Sequence, residues 1–458
     1  MREHSGLLTD LYELTMAAGY LQTGFDARAT FELFVRNLPP HRNFLVAAGL
    51  EQALEFLEHV NFNADEIAYL RSHHVFSYIG PEFFEYLRTF HFTGDVWAVP
   101  EGTLVFPGEP MLRVSAPIIE AQIMETYLLA TLGYQTMIAS KTARVVTAAQ
   151  GRRVVEFGAR RAHSAQAGLF AARAAAIGGS VGTSNVLAGQ QYGIYTYGTQ
   201  AHSWVMAHDD EADAFAHFLD AFPERAFLLL DTYNVHDAVE KITRMGRKPA
   251  GVRLDSGDIA KDTKWVRREL DKAGWQDVKI FASGDLDEEK IAELLAKGAA
   301  IDSFGVGSAL ATPSDAPLLN LVYKLVEVDR AGKIQGAAKL TQAKVTYPGR
   351  KQVFRYSNRA GQFEHDRIAL DDEAANGGRP LLVQVMRAGR RISAPESIDT
   401  LHNRCVDELA HLPERYRRID RSAEYPVKYS KALEKLLEKV RQRVRHSASN
   451  SARAGKGR

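Results

Sequence analysis

The chain has 458 residues, of which 45% are hydrophobic and 25% charged, and its net charge is +1; these values are typical of a globular protein and argue against a polyelectrolyte partner such as DNA. No apolar run reaches the roughly 18–20 residues of a membrane span, and the first residues lack the apolar segment of a secretory signal. The only cysteine, Cys405, excludes an internal disulfide, so we expect a cytoplasmic protein with no nucleic-acid partner and no membrane partner.

The first part of the chain is predicted to mix helices with extended segments. Apolar residues recur at near-helical spacing over residues 8–21 and 43–60, whereas residues 29–35 alternate between apolar and polar as a strand does. Pro and Gly punctuate a strand-rich run at 94–117, which favours a small β unit, and the pattern over 119–149 is helical. These elements predict an N-terminal α/β domain.

From residue 154 onward, short apolar runs alternate with helical patterns. The candidate strands are 153–157, 193–197, 226–230, 250–254, 278–282 and 301–304. Helical patterns lie between most of them, at about 166–177 and at 209–221, 234–245, 258–273 and 286–297. This alternation predicts a parallel sheet, either open or closed into a barrel, in which chemistry collects at the carboxyl ends of the strands.

Beyond about residue 325, the pattern returns to strands that suit the small first domain. The strand-like segments are 334–340, 344–347, 352–356 and 380–386, and a basic amphipathic helix is predicted at 426–444. The predicted domains are therefore 1–135 (N-terminal α/β domain), 136–325 (α/β barrel with the active site), 326–443 (return to the small domain and C-terminal helices) and 444–458 (basic disordered tail).

Residues suited to anions gather at the predicted strand ends. They are Arg160, His202, Asp231, Asp255, Gly284 and Gly307. Guanidinium groups suit phosphate and carboxylate, and turns of Gly, Ser and Thr let backbone N–H groups approach an anion closely. A histidine in that setting can exchange a phosphoryl group or a proton. The positions of these residues predict one shared pocket.

Each feature taken alone has a plainer interpretation. Asp231 is typical of a cap for the following helix near residues 232–234, and the turn at 255–257 is also typical of a helix cap. By pattern alone, Phe157 is a core residue at a strand end, and Tyr12 belongs to the apolar stripe of a helix.

The ordered set of motifs is more specific than its parts. The motifs are LLTDLYELTMAAGY (7–20), FGARRAH (157–163), GTSNVLAG (182–189), GTQAHSW (198–204), VRLDSGD (252–258), SFGVGSAL (303–310) and KLTQAKVTYPGRKQVFR (339–355). Together they strongly resemble the nicotinate phosphoribosyltransferase family, and the resemblance runs from Leu7 to about Arg418. It implies an irregular, incomplete α/β barrel beside an α/β sandwich-like domain formed by N-terminal and later segments.

The resemblance also implies a reaction. Nicotinate and phosphoribosyl pyrophosphate would give nicotinate mononucleotide and pyrophosphate, a step of NAD salvage, with Mg²⁺ and ATP as cofactors and ATP hydrolysis coupled through a phosphohistidine. The family's phosphorylated histidine corresponds to His202, and the aspartate that orients it corresponds to Asp231. A homodimer with shared active sites is implied, since Tyr12 would reach the pocket from the second subunit.

Further site residues follow from the same correspondence. For nicotinate they are Tyr12, Phe157, Ser184 and Arg253; for phosphoribosyl pyrophosphate they are Arg36, Arg160, Asp255, Gly284, Asp285, Gly307 and Ser308; for the phosphates of pyrophosphate or ATP they are Lys339, Lys344 and Lys351. Gly307 and Ser308 open a predicted helix or turn, where backbone N–H groups suit a phosphate. The lysines also fit a solvated strand edge. The metal ligands stay unassigned, and since the chain has no Walker A loop, ATP must bind in another manner.

Two other functions stay open at this point. One keeps the fold and takes nicotinamide or quinolinate as substrate, and the other is a catalytically silent, metabolite-binding relative. Nicotinamide enzymes carry an aspartate where this chain has Ser184, and a neutral hydroxyl there favours nicotinate. Every matched position is chemically intact, which opposes a silent relative.

Overall fold

The computed structural model describes residues 3–341 and 345–454, with side chains described as far as residue 446. Its helices are α1 (Leu11–Gln22), α2 (Leu50–His59), α3 (Ala64–Ser72), α4 (Pro81–Arg88), α5 (Ile118–Ile123), α6 (Glu125–Ala148), α7 (Ala165–Ile177), α8 (Val186–Tyr192), α9 (His202–Met206), α10 (Glu211–Ala221), α11 (Val235–Met245), α12 (Ile259–Lys272), α13 (Glu288–Ala296), α14 (Ser308–Ala311), α15 (Ile398–His411), α16 (Glu414–Arg417) and α17 (Lys431–Ala454). Short 3-10 turns occur at His74–Phe76 and Ala159–Arg161.

The strands are numbered in the same way. They are β1 (Arg28–Val35), β2 (Leu45–Val46), β3 (Asp95–Ala98), β4 (Leu104–Val105), β5 (Pro110–Pro117), β6 (Arg153–Glu156), β7 (Gly182–Thr183), β8 (Phe227–Leu229), β9 (Gly251–Leu254), β10 (Lys279–Ala282), β11 (Ser303–Val306), β12 (Leu321–Arg330), β13 (Lys333–Gly336), β14 (Lys351–Ser357), β15 (Phe363–Leu370), β16 (Arg379–Pro380), β17 (Val383–Arg387), β18 (Arg390–Arg391) and β19 (Val427–Tyr429).

Six parallel strands form the part of the molecule that we call the barrel. Their order is β7-β6-β11-β10-β9-β8. This is the circular order of an α/β barrel whose ring stays open between β7 and β8. The predicted incomplete barrel is therefore confirmed, and the carboxyl ends of neighbouring strands meet on one edge.

The strands before and after the barrel form the part that we call the antiparallel domain. Among the described residues, seven strands pair in the order β13-β12-β1-β5-β3-β17-β18, so that β1 lies between β5 and β12. Alternate residues of β1 point to opposite faces: Phe31 and Leu33 enter the hydrophobic core, while Glu32 between them is also fully buried. A second sheet, β16-β14-β15-β19, belongs to the same domain. The predicted domain built from N-terminal and later segments is confirmed.

Several predicted elements differ in detail. The helix predicted at 43–60 is strand β2 followed by helix α2, because the chain turns at Gly49 with φ +99°, a conformation that favours glycine. The strand predicted at 193–197 is reduced to one parallel bridge between Thr183 and Thr196. Residues 182–183, which are not among the predicted strands, form β7 at the edge of the barrel.

The C-terminal helix also differs from its prediction. Helix α17 begins at Lys431 and continues to Ala454, so the disorder predicted from residue 444 is wrong as far as residue 454. No Gly or Pro interrupts the sequence between those two residues, and nothing in the backbone therefore stops the helix. Within the described part of the chain, no helix combines the length and apolar character needed to cross a bilayer.

Candidate active site

A cavity of about 220 Å³ lies at the carboxyl edge of the barrel, between the ends of β6, β9, β10 and β11. The predicted site residues that line it are Phe157, Arg160, Arg253, Asp255, Gly284, Asp285, Gly307 and Ser308. These residues lie at the ends of four different strands or in the loops that follow them. Of the six residues predicted to share one pocket, Arg160, Asp255, Gly284 and Gly307 meet at this cavity, whereas His202 and Asp231 do not line it.

Arg253 is the most constrained side chain of the cavity. Its Nε donates to Ser283 Oγ at 2.8 Å, its Nη1 donates to Thr199 Oγ1 at 2.9 Å, and its Nη2 donates to Asp255 Oδ1. A guanidinium has five N–H donors, so these three bonds leave two donors for a ligand. Because the three bonds fix the plane of the group, those remaining donors have a set direction.

Asp255 is held as a carboxylate. Burial alone would raise its pKa, but the hydrogen bond from Ser283 and the charge of Arg253 keep the pKa below its usual range. A residue that follows the neighbouring strand β8 fixes its backbone, because the Asp255 N–H donates to Asp231 Oδ2 at 2.9 Å. The Ser256 hydroxyl donates to the same oxygen at 2.6 Å.

His202 opens helix α9 and is half-buried. Its Nδ1 lies 3.1 Å from Thr232 Oγ1. The predicted pairing with Asp231 is not formed in this structure, because Oδ2 of that carboxylate holds the 255–256 loop instead. The other oxygen, Oδ1, is buried and has no hydrogen-bond partner among the described residues.

The plainer interpretations of the two aspartates are also wrong. The N-cap of α11 is Asn234, whose Oδ1 accepts from the N–H groups of residues 236 and 237, so Asp231 does not cap that helix. The N-cap of α12 is Asp258 rather than Asp255. Both predicted site aspartates therefore use their carboxylates at the strand ends and not as helix caps.

Two glycines of the cavity are required by close contacts. Gly284 has φ +99°, and a Cβ there would lie 1.8 Å from the Asp255 carbonyl oxygen. A Cβ on Gly305 would lie 2.7 Å from ring atoms of Phe157 and of Phe281. Any other residue at either position would push apart the loops that line the cavity.

The two arginines that follow β6 have guanidinium groups that no other described residue pairs with. Arg160 and Arg161 lie in the exposed 3-10 turn and line the cavity. Neither guanidinium forms a hydrogen bond or an ion pair with another described residue. They are therefore available to an anionic ligand, as the resemblance implied for Arg160.

Phe157 supplies the aromatic wall of the cavity. Its ring stacks on Phe281 with centroids 5.4 Å apart, and the guanidinium carbon of Arg253 lies 5.8 Å from its centroid. A flat apolar face beside a fixed guanidinium suits an aromatic ring that carries a carboxylate.

Sequence reasoning missed Glu156, which organises the loop of Ser184. Glu156 is fully buried, and burial raises its pKa. Its carboxylate accepts from the Gly158 N–H and, at 2.6 Å, from the Thr183 hydroxyl, while its carbonyl oxygen accepts from the Ser184 N–H at 2.9 Å. A carboxylate inside the apolar run 154–157 was the available signal, because a buried charge needs partners. Ser184 itself is exposed at the end of β7.

Other predicted site residues lie outside the cavity of this single chain. Tyr12 is 48% exposed on α1, and Arg36 follows β1 with its N–H bonded to the Asn320 carbonyl. Lys339 is exposed, and its N–H donates to Thr346 Oγ1. Lys344 lies outside the described residues.

The structure contradicts the prediction that Lys351 binds a phosphate. Its amine is buried, 2.8 Å from Glu32 Oε2, and it donates to the carbonyl oxygens of Tyr347 and Gly349 at 2.8 and 2.9 Å. These partners use all three donors of an ammonium group. The amine is therefore a structural ion pair of the antiparallel domain and has no donor left for a phosphate.

A larger groove, of about 1150 Å³, lies elsewhere and includes Tyr127, Tyr192 and Leu187 among its walls. None of the predicted site residues lines it. We place the candidate active site in the smaller cavity because its lining groups keep hydrogen-bonding capacity for an anion.

The chain was compared with known families and proteins. Residues 7–133 match the nicotinate phosphoribosyltransferase (NAPRTase) N-terminal domain, residues 152–366 match the nicotinate phosphoribosyltransferase (NAPRTase) family, and residues 377–437 match the nicotinate phosphoribosyltransferase C-terminal domain. A nicotinate phosphoribosyltransferase of Mycobacterium tuberculosis is 45% identical over 94% of this chain and 93% of its own length. This chain belongs to the nicotinate phosphoribosyltransferase family.

Other relatives of the nicotinate phosphoribosyltransferase family agree. The enzyme of that name from Bacillus subtilis is 39% identical and covers 93% of each chain. The crystal structure of human nicotinic acid phosphoribosyltransferase has a TM-score of 0.82 and 30% identity, and it covers 94% of this chain and 99% of the human one. The family thus accounts for both the barrel and the antiparallel domain.

Proposed function

We propose that this chain transfers a phosphoribosyl group from phosphoribosyl pyrophosphate to nicotinate, giving nicotinate mononucleotide and pyrophosphate in NAD salvage. The observation that carries the proposal is Arg253. Its guanidinium is fixed by three hydrogen bonds, keeps two donors, and lies beside the Phe157 ring in a cavity whose other walls suit phosphate. Membership of the family agrees with this substrate pair.

Each part of the cavity suits one part of the substrates. The free donors of Arg253 would pair with the nicotinate carboxylate, and Phe157 would cover one face of the pyridine ring. The N–H groups at the start of α14, at Gly307 and Ser308, suit the 5-phosphate. Asp255 is an ionised acceptor for ribose hydroxyls, and Arg160 is free for the pyrophosphate.

In the transfer step, the bond from ribose C1 to the pyrophosphate oxygen breaks, and the pyrophosphate leaves with the electron pair. The lone pair of the pyridine nitrogen forms the new bond to C1 from the opposite side. The residues of this chain position the partners and stabilise the charges that develop. Arg160 would hold the leaving pyrophosphate, and Arg253 would keep the pyridine nitrogen aimed at C1.

Mg²⁺ is part of the proposal, and the donor set fits it. Among the described residues there is no group of three or more His, Cys, Asp or Glu arranged as a metal site. Mg²⁺ usually binds through one or two carboxylates, water and substrate phosphates, and Asp255 and Asp285 supply carboxylates at the cavity. When bound there, the ion would neutralise the charge of the pyrophosphate.

We also propose that ATP phosphorylates His202. Since Nδ1 lies against Thr232, the nitrogen that remains for the γ-phosphorus is Nε2. In that step Nε2 bonds to the γ-phosphorus and ADP leaves with the electrons of the broken P–O bond. The unpartnered Oδ1 of Asp231 supports an orienting role, since it retains the capacity to accept an N–H from the ring.

A homodimer with shared active sites completes the proposal. Tyr12 is exposed and does not line the cavity of its own chain. Large apolar side chains are exposed in the segments that join β7 to β8 and just beyond β8, among them Leu187, Tyr195, Met206 and Tyr233. A second copy that covers this surface would bury it and could bring its Tyr12 to the nicotinate ring.

The test is product formation from phosphoribosyl pyrophosphate and Mg²⁺ with nicotinate, nicotinamide or quinolinate, each with and without ATP. We expect conversion of nicotinate alone, with ATP stimulation that disappears in His202→Ala. Conversion of nicotinamide would mean that Ser184 does not select the substrate. If none of the pyridines is converted, the chain is a silent, metabolite-binding relative.

A further inference from the structure

Five charged side chains form a group that we call the buried ion cluster. Lys141 Nζ is 2.6 Å from Glu288 Oε2 and 3.1 Å from Asp315 Oδ1. Arg42 Nη2 is 2.7 Å from Asp315 Oδ2, and Arg144 Nε donates to Glu288 Oε1 at 2.9 Å. Only Asp315, with 38% of its side chain exposed, reaches solvent; the other four are nearly fully buried.

The two carboxylates of the buried ion cluster lie in the chain segments that follow two loops of the cavity. Glu288 is the first residue of α13, just after Gly284 and Asp285. Asp315 follows α14, the helix that begins with Ser308 at the cavity. Each carboxylate therefore anchors the segment that leaves one of these loops.

Both loops need an anchor. Gly284 and Asp285 have consecutive positive φ values, +99° and +48°, and the second is unusual for a residue with a side chain. Helix α14 is a single turn, and a helix of that length does not hold itself together in water. Contacts made from outside each loop are therefore needed to hold its conformation, and the residues that follow the loop can supply some of them.

The three cations of the cluster come from other parts of the chain. Arg42 precedes β2, while Lys141 and Arg144 are three residues apart on one face of α6. Arg144 Nη2 also donates to the Ile419 carbonyl at 3.3 Å. The cluster thus connects the cavity loops to the N-terminal segment, to the long helix α6 and to the C-terminal segment.

The charges of the cluster depend on one another. Burial alone would raise the pKa of Glu288, but Lys141 and Arg144 hold that pKa below its usual range. Asp315 has a lowered pKa for the same reason, since Arg42 and Lys141 outweigh its burial. Lys141 contacts both carboxylates, so its loss would weaken both anchors together, although Arg144 and Arg42 remain.

We infer that the buried ion cluster is a positioning device that holds the 284–285 loop and the start of α14 in the geometry that binds the phosphates of the sugar substrate. The identity of that ligand rests on the proposed function. Arg253 lies on β9 and is not anchored by the cluster, so the nicotinate contact should be less affected than the phosphate contacts.

The test compares Lys141→Met with Lys351→Met. Both lysines are buried ion-pair partners, but only Lys141 adjoins the cavity loops. We expect Lys141→Met to raise KM for phosphoribosyl pyrophosphate about tenfold while kcat and KM for nicotinate change by less than about threefold. Lys351→Met should lower the melting temperature by a similar amount and leave both KM values unchanged. Hydrogen exchange should quicken at 284–287 and 307–315 only in the first variant.

A milder pair of variants keeps the inference testable if Lys141→Met does not fold. Asp315→Asn removes one half-exposed charge and should raise the same KM, whereas Asp315→Glu should restore it because a carboxylate is retained. Unchanged KM in Asp315→Asn, or equal KM changes in Lys141→Met and Lys351→Met, would overturn the inference. Failure of the proposed function looks different, since the wild-type protein would then convert no pyridine.

Discussion

Arg253 at the end of β9 and Lys351 at the start of β14 are both cations held against a carboxylate, but they differ in what remains unsatisfied. The ammonium group of Lys351 directs all its N–H donors to the Glu32 carboxylate and to two backbone carbonyl groups inside the antiparallel domain. Arg253 is fixed by three side chains and still has donors that face the cavity. A charged residue therefore indicates a binding site only when it still has hydrogen-bond donors or acceptors that its protein partners do not use.

A similar contrast separates one buried ion group of the antiparallel domain from the carboxyl edge of the barrel. In the antiparallel domain, Arg355 is buried between Asp366 and Glu408, and the three charges satisfy one another. At the carboxyl edge of the barrel, Arg160 and Arg161 have no protein partner among the described residues, and one oxygen of Asp231 is unpaired. The first arrangement stabilises the fold, and the second is prepared for a ligand.

The largest effect that the comparison predicts is the loss of activity in Arg253→Ala. Removing the donors for the nicotinate carboxylate should lower kcat/KM for nicotinate about a thousandfold, which corresponds to about 4 kcal/mol. Steady-state kinetics measures this change, and thermal unfolding supplies the control. The contradicting result would be an Arg253→Ala variant that unfolds well below the wild-type temperature but has normal kcat/KM while it is folded. Arg253 would then be a structural residue, like Lys351.

Lys351→Met should show the opposite pattern. The variant leaves the Glu32 carboxylate buried without a cation, and we expect it to lose about 3 kcal/mol of unfolding free energy while activity per folded molecule stays normal. Chemical denaturation measures the loss. The double variant Lys351→Met with Glu32→Gln should recover much of it, and no recovery would mean that the ion pair is not the cause.

Glu13 sharpens the comparison because it is a buried carboxylate that forms no ion pair with any residue the structure describes. Burial raises its pKa to about 7, above the value of about 4.3 in an unfolded chain. The folded state therefore binds the proton more tightly, so its stability contribution is complete below about pH 4 and is lost as pH rises through 7. Glu13→Gln cannot ionise and should be more stable than wild type by roughly 3–4 kcal/mol at pH 8.

The measurement for Glu13 is unfolding free energy against pH. The two proteins should be equally stable near pH 4 and diverge between about pH 4 and 7. A constant difference across that range would show that Glu13 does not titrate in the folded protein as its burial requires.

Thr232→Val carries the smallest predicted effect. The variant removes the hydroxyl that contacts His202 Nδ1, a hydrogen bond that is worth about 1 kcal/mol. We expect ATP stimulation of product formation to fall roughly fivefold, with ATP-independent turnover unchanged and Thr232→Ser close to wild type. If ATP stimulates Thr232→Val as strongly as wild type, the Thr232 hydroxyl does not orient His202, and that role would belong to Asp231 alone.

Much of this arrangement could be predicted from the sequence, because its signals are local. Apolar runs that alternate with helical patterns predicted the parallel strands, and the Gly, Ser and Asp residues just after β9, β10 and β11 predicted the loops of the cavity. These features depend on neighbouring residues in the chain, and the structure places them at one edge of the sheet.

The failures have a common physical cause, which is pairing between distant segments. Lys351 was assigned to phosphate because its partner Glu32 lies on a strand from the other end of the chain. His202 contacts Thr232 rather than Asp231, because the carboxylate of Asp231 is directed to the 255–256 loop. Neither fact can be obtained from the composition or periodicity of a segment.

The most direct test of the account is a crystal structure of the protein with nicotinate mononucleotide bound. We expect the 5-phosphate at the N–H groups of Gly307 and Ser308, the nicotinate carboxylate on Arg253 and the pyridine ring against Phe157. A nucleotide bound instead in the larger groove beside Tyr127 and Tyr192, with Arg253 unchanged, would contradict the assignment of the active site.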